Sequence, residues 1–88
     1  MTSFEWDETK RTANVQKHGI DFADAALVFN DPAHLIYRSQ RHTGEERFVA
    51  IGTVGAKIIA VIFTERGDNV RIISARTTRR IERELYGR

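Results

Sequence analysis

The stretch Lys57-Ile58-Ile59-Ala60-Val61-Ile62-Phe63-Thr64-Glu65-Arg66-Gly67-Asp68-Asn69-Val70-Arg71-Ile72-Ile73-Ser74-Ala75 decides the fold. Ile58–Phe63 is continuously apolar, as a central strand covered on both faces should be. Gly67-Asp68-Asn69 supplies turn chemistry, and Val70–Ala75 returns as a second strand. Arg71 alternates with Val70 and Ile72, so its side chain points to the sheet face opposite theirs. Upstream, Gly55-Ala56 joins Lys57–Thr64 to a strand over Arg47–Val54, and Thr43-Gly44 joins that to Leu35–Ser39. Tight turns predict antiparallel neighbours, a meander of four strands.

Outside the meander the period changes. Phe4-Glu5-Trp6 reads as a short N-terminal strand. Asp7 is suited to cap a helix over 8–18, Gly19 to stop it, and Lys17 and His18 to sit at the negative end of its dipole. Asp21 caps a second helix over 22–29, with Phe22, Ala25, Ala26 and Phe29 on one face, and Asn30-Asp31-Pro32 ends it. Residues 78–86 read as a final helix capped by Thr77 or Thr78. The expected architecture is α+β, one domain over 1–88: N-terminal helices, a four-stranded antiparallel sheet plus the short N-terminal strand, and a C-terminal helix.

The chain has 88 residues, a net charge of +2 and no cysteine, which removes disulfides and thiolate metal sites. Neither a long apolar run nor a signal-like N-terminus stands out, so the expected compartment is the cytoplasm and no membrane role is expected. Charge is unevenly placed. Residues 1–40 carry four Lys/Arg against six Asp/Glu, whereas 41–88 carry ten against six, with Lys57 the only lysine among the ten. Arginine grips phosphate in two places, so the basic half suits a nucleic acid; the competing reading is a solvated basic surface.

Chemistry concentrates at Ile72-Ile73-Ser74-Ala75-Arg76-Thr77-Thr78-Arg79-Arg80. A strand delivers Arg76 to its end, and a helix opens with Arg79 and Arg80 against its own dipole. Local rules are broken most often where function demands it, and cations at free N–H groups suit a phosphate. The alternative is ion pairing of Arg80 with Glu84 and Arg79 with Glu82. Arg66 stands at the hairpin mouth and Arg71 one strand position inside it. His18 is the best acid–base candidate, because imidazole changes charge near neutrality, and Lys17 is beside it. Glu45, Glu46 and Glu82 could act as bases. Tyr86 shares a helix face with Glu82, to stack on a nucleobase or to lock the helix onto the core. No histidine spacing suits zinc, and phosphate-loop, dinucleotide and esterase motifs are missing. Phe4 and Trp6 could expose an apolar patch to a partner.

Phe4-Glu5-Trp6-Asp7, Asn14, Lys17-His18-Gly19-Ile20, Phe22, Ala25, Val28-Phe29 and Asp31-Pro32 follow one family pattern in order. Gly44-Glu45-Glu46-Arg47, Ile51-Gly52, Val61, Phe63-Thr64-Glu65-Arg66, Arg71-Ile72-Ile73-Ser74-Ala75-Arg76, Glu82 and Tyr86 continue it. Over nearly its whole length the chain resembles the BrnT toxin family. The resemblance implies a RelE-like fold and metal-independent RNA cleavage that halts translation, with no cofactor. It implies a BrnA-type antitoxin whose ribbon-helix-helix portion alone contacts operator DNA; the assembly expected of this chain is a homodimer or a heterotetramer with that antitoxin. It carries catalytic roles to Lys17, His18, Arg66, Arg76 and Glu82, and substrate contacts to Arg71 and Tyr86, which Arg79 and Arg80 join from the residue reading. Against this stand a non-catalytic nucleic-acid-binding module and a protein-interaction module, which would share the basic surface but leave RNA intact.

Overall fold

Ile58–Phe63 does form the middle of a sheet. A computed structural model describes residues 3–40 and 44–87; the sequence-predicted Thr43 turn position and His42 lie outside them. The elements run β1 (Ser3–Glu5), α1 (Glu8–His18), α2 (Phe22–Ala25), a 3₁₀ turn (Ala26–Asn30), β2 (Leu35–Arg38), β3 (Phe48–Val54), β4 (Lys57–Arg66), β5 (Asn69–Thr77) and α3 (Arg80–Tyr86). The sheet order is β1-β5-β4-β3-β2. The four expected strands pair antiparallel, but β1 joins the same sheet by pairing parallel to β5, so the sheet is five-stranded and mixed. A three-residue strand can dock parallel here because α1, α2 and the whole meander lie between it and β5 in sequence.

The caps of α1 follow the sequence. The Asp7 carboxylate accepts from the Thr9 and Lys10 N–H groups at 2.8 and 3.1 Å, and Gly19 ends the helix at φ 71°. The helix expected over 22–29 is instead one α turn followed by 3₁₀ winding. Tighter winding lays Val28 against β3, so close to Gly52 that a Cβ there would sit 2.9 Å from Val28 Cγ1. The last helix is not capped by Thr77 or Thr78. Its first residue follows Arg79, and the Glu82 carboxylate reaches back to the Arg79 N–H at 2.7 Å.

The two sheet faces differ. One packs on α1, α2 and the 3₁₀ turn through Phe22, Ala25, Val28, Ala50, Ile59, Val61, Phe63, Ile72 and Ala75. Phe4 and Trp6 pack against this core, with rings 5.4 Å from Phe29 and 6.2 Å from Phe22, so they do not form the exposed patch expected of them. The exposed apolar side chains lie elsewhere, on β2 (Leu35, Ile36, Tyr37) and on α3 (Ile81, Leu85) among others. On the opposite face, Val49, Ile51 and Ala60 form a smaller cluster joined by Ile58, Ile62 and Tyr86. There α3 covers only part of the sheet, and the remainder is open.

Candidate active site

A bulge in β5 decides what reaches the open face. Phe63 pairs with Ile72 and Ile62 with Ser74, leaving Ile73 as an extra residue. Without it, Arg76 would share the face of Val70 and Ile72, inside the core. With it, Ala75 enters the core and Arg76 stands opposite Ala60 on the other face. One inserted residue thus moves a guanidinium from a place it could not occupy to the floor of a cleft.

Asn14 brings the other side of the cleft into place. β1 pairs only with Asn69–Arg71, so the outer edge of β5 beyond it would leave main-chain groups unpaired. The Asn14 carboxamide fills that gap, donating to the Ala75 carbonyl at 2.9 Å and accepting from the Ala75 N–H at 3.1 Å. It also donates to the Ile20 carbonyl at 2.8 Å. A helix end is thereby fastened to a strand edge, and Lys17 and His18, one turn on, reach the cleft.

The cleft encloses about 460 Å³ and is lined by Lys17, His18, Tyr37, Ser39, Gln40, Arg47, Val49, Ile62, Ile73, Ser74, Arg76 and Arg79. Beneath Arg76 lies Glu82, only 1% exposed. Arg76 donates to it through both terminal nitrogens, at 2.7 and 2.9 Å. The Tyr37 hydroxyl donates at 2.5 Å and the Arg79 N–H at 2.7 Å. Burial alone would raise the Glu82 pKa. The Arg76 guanidinium, the Arg79 N–H and the Tyr37 hydroxyl outweigh it and hold the carboxyl at about 2. A carboxylate accepting four hydrogen bonds has little capacity left for a substrate proton. Its geometry is that of a clamp that orients Arg76.

Other expected site residues lie apart. Arg66 is exposed at the end of β4, its Nε 3.5 Å from Glu45. Arg71 is on the cleft face but pairs with Glu5 at 2.8 Å, outside the cleft lining. Arg80 projects into solvent and pairs with Glu84 at 3.2 Å, the alternative reading of that position. Tyr86 is not a free stacking platform. It donates to Asp31 at 2.5 Å and is hydrogen-bonded to Thr53 at 2.7 Å, which pins α3 to the sheet. Conversely, Tyr37 and Arg47 line the cleft without having been given a site role: Tyr37 read only as strand, and Arg47 only as a strand's first residue and the end of the run Gly44-Glu45-Glu46-Arg47. Alternation offered one signal: Tyr37 and Arg47 each stand two residues from another residue of the same face, Leu35 and Val49.

Chemically, the cleft presents cationic side chains around an apolar floor, and Glu82 beneath it already accepts four hydrogen bonds. Among the described residues no three His, Cys, Asp or Glu side chains gather to hold an ion. No helix among them is long and apolar enough to cross a membrane. Such a surface is built for a polyanion.

Comparison with known families agrees. Residues 6–82 match the family described as the ribonuclease toxin BrnT of type II toxin–antitoxin systems. The match includes every residue lining the cleft. No individual curated protein matches the chain. With 6–82 of its 88 residues matched, the chain belongs to the BrnT family of ribonuclease toxins, whose type II systems pair a toxin with an antitoxin.

Proposed function

We propose that this chain is an endoribonuclease that cleaves RNA without a metal ion, by attack of the RNA's own 2′-hydroxyl. The observation that carries the reading is convergence: Lys17 and His18 from the end of α1 and Arg76 and Arg79 from the β5–α3 junction face one cleft. In the reaction the 2′-oxygen bonds to the adjacent phosphorus and the bond from phosphorus to the 5′-oxygen breaks. The 2′-hydroxyl proton passes to a base, and an acid protonates the departing 5′-oxygen, leaving a 2′,3′-cyclic phosphate. His18 and Lys17 move the protons. Arg76, held by Glu82 and Tyr37, stabilises the charge that develops on the phosphorane, with Arg79 beside it. Arg66, Arg71, Arg80 and Tyr86 fall outside this set. The cations do the electrostatic work that a divalent ion would do elsewhere.

The wider reading follows the family. The fold is of the RelE-like kind, the toxin acts in the cytoplasm, and a BrnA-type ribbon-helix-helix antitoxin neutralises it by covering the cleft. Operator DNA is contacted only through that antitoxin. A complex that leaves the cleft open to RNA would contradict this.

The test is incubation of purified protein with end-labelled RNA in excess EDTA. The expected products end in a cyclic phosphate. Arg76→Lys keeps a cation beside buried Glu82 while losing the two-pronged grip, and His18→Ala removes the imidazole. Each is expected to lower the rate by about 10²–10³. RNA that stays intact but bound would identify a binding module. Parent rates in both variants would refute the assignment.

A further inference from the structure

Arg47 is the cleft residue whose situation the cleavage chemistry leaves unexplained. It precedes β3 and faces the cleft beside Ser39, whose N–H donates to the Arg47 carbonyl at 2.8 Å. The Arg47 Nε is buried and, alone among the buried side-chain nitrogens and oxygens of the described residues, makes no hydrogen bond. No carboxylate pairs with it among the described residues. Arg11, Arg38, Arg66, Arg71, Arg76 and Arg80 each have an acidic partner within 4 Å. A half-buried guanidinium that lines a cleft with no carboxylate beside it favours an anion that enters that cleft.

Its position says which anion. Extending the β3–β4 ladder one step beyond Phe48–Phe63 sets Arg47 opposite Thr64, while Arg76 stands opposite Ala60. The two positions are four residues apart along β4, about 13 Å, and lie on the strands to either side of it, about 10 Å across. Between them the floor is apolar: Val49, Ile62 and Ile73. A phosphodiester held at Arg76, between Lys17 and His18, leaves Arg47 at the far end of this floor.

We infer that Arg47 is a substrate-binding residue: it grips a phosphate of the RNA flanking the scissile one, and the apolar floor receives the base between them. The inference rests on the ribonuclease reading for its substrate class. Guanidinium geometry suits this task, since its planar fork takes two phosphate oxygens at once. The cleft then reads more than one nucleotide, and short substrates forfeit part of the binding energy.

Two probes separate this inference from the ribonuclease reading itself. The first is a fluorescent pentanucleotide with 2′-O-methyl ribose throughout, which binds but offers no nucleophile. Arg47→Met keeps the hydrocarbon stem and its packing, and Arg47→Ala is the second variant. Both are expected to raise the Kd about tenfold, and to lower the slope of log Kd against log salt by roughly 0.7, one phosphate contact. The second probe compares cleavage of a dinucleotide, with one phosphate, and an unmodified pentanucleotide. The variants should penalise the pentanucleotide about tenfold more than the dinucleotide, with the loss in KM rather than kcat. Unchanged pentanucleotide affinity and salt slope in both variants would overturn the inference. So would equal losses on the two substrates, which would set Arg47 on the scissile phosphate. If the parent protein cleaves neither substrate, the ribonuclease reading fails, while the binding probe still decides whether Arg47 holds a phosphate.

Discussion

Glu82→Gln tests the clamp beneath Arg76. The substitution keeps size and shape but removes the charge and turns one oxygen into an NH₂ group. Each carboxylate oxygen accepts two of the four hydrogen bonds, so two donors lose their acceptor in either amide orientation. Arg76, whose side chain is 18% exposed, is left without its counter-charge. Removing one partner of a buried pair destabilises by about 3–5 kcal/mol. The acidity of the carboxyl points the same way. The Glu82 carboxyl is held at about 2 against an ordinary 4.5, and at about 1.4 kcal/mol for each pH unit between them the ionised clamp contributes about 3 kcal/mol. For a domain of this size that lowers Tm by roughly 12–24 °C.

The pH dependence gives the sharper check. A folded carboxyl that ionises below its unfolded value contributes fully above about pH 4.5 and loses its contribution as pH falls toward 2. Glutamine does not titrate. The stability gap between parent and variant should therefore be about 3 kcal/mol at pH 7 and roughly half of that or less at pH 3. Urea unfolding followed by tryptophan fluorescence at both pH values measures it. A gap under 1 kcal/mol at pH 7, or one that does not shrink at pH 3, would refute the clamp.

Further outcomes follow from the same structure. Asn14→Ala strips the Ala75 N–H and carbonyl of their buried partner, and should cost about 2–4 kcal/mol by urea unfolding while loosening Lys17 and His18 enough to slow cleavage. Gly52→Ala forces a Cβ to within 2.9 Å of Val28 Cγ1 and 3.1 Å of the Val28 carbonyl; calorimetry should show a loss of about 1–3 kcal/mol. Arg80→Ala removes a solvent-exposed pair with Glu84, so stability should stay within about 0.5 kcal/mol and cleavage should suffer less than in Arg79→Ala.

Much of the fold was legible in residue patterns. Apolar runs and turn residues marked four strands to within a few positions, and Asp7 and Gly19 bounded α1, because these signals act through neighbours in the chain. The second helix broke early because Val28 is drawn against Gly52, a contact no local rule contains. Of the site, Lys17, His18, Arg76 and Arg79 were recognisable as cations at element ends. Arg47 and Tyr37 were not, since an arginine at the start of a strand and a tyrosine within one read as ordinary sheet surface.

Local order alone thus determined an α+β chain with a basic second half and a strand that ends in arginine. Tertiary structure decided which of those arginines meet. The extra Ile73 turned Arg76 to the open face, Asn14 fastened a helix end to the edge of β5, and Glu82 buried its charge to hold Arg76 still. Strand parity, edge pairing and charge burial depend on what lies across the sheet, so they exist only once the chain has folded.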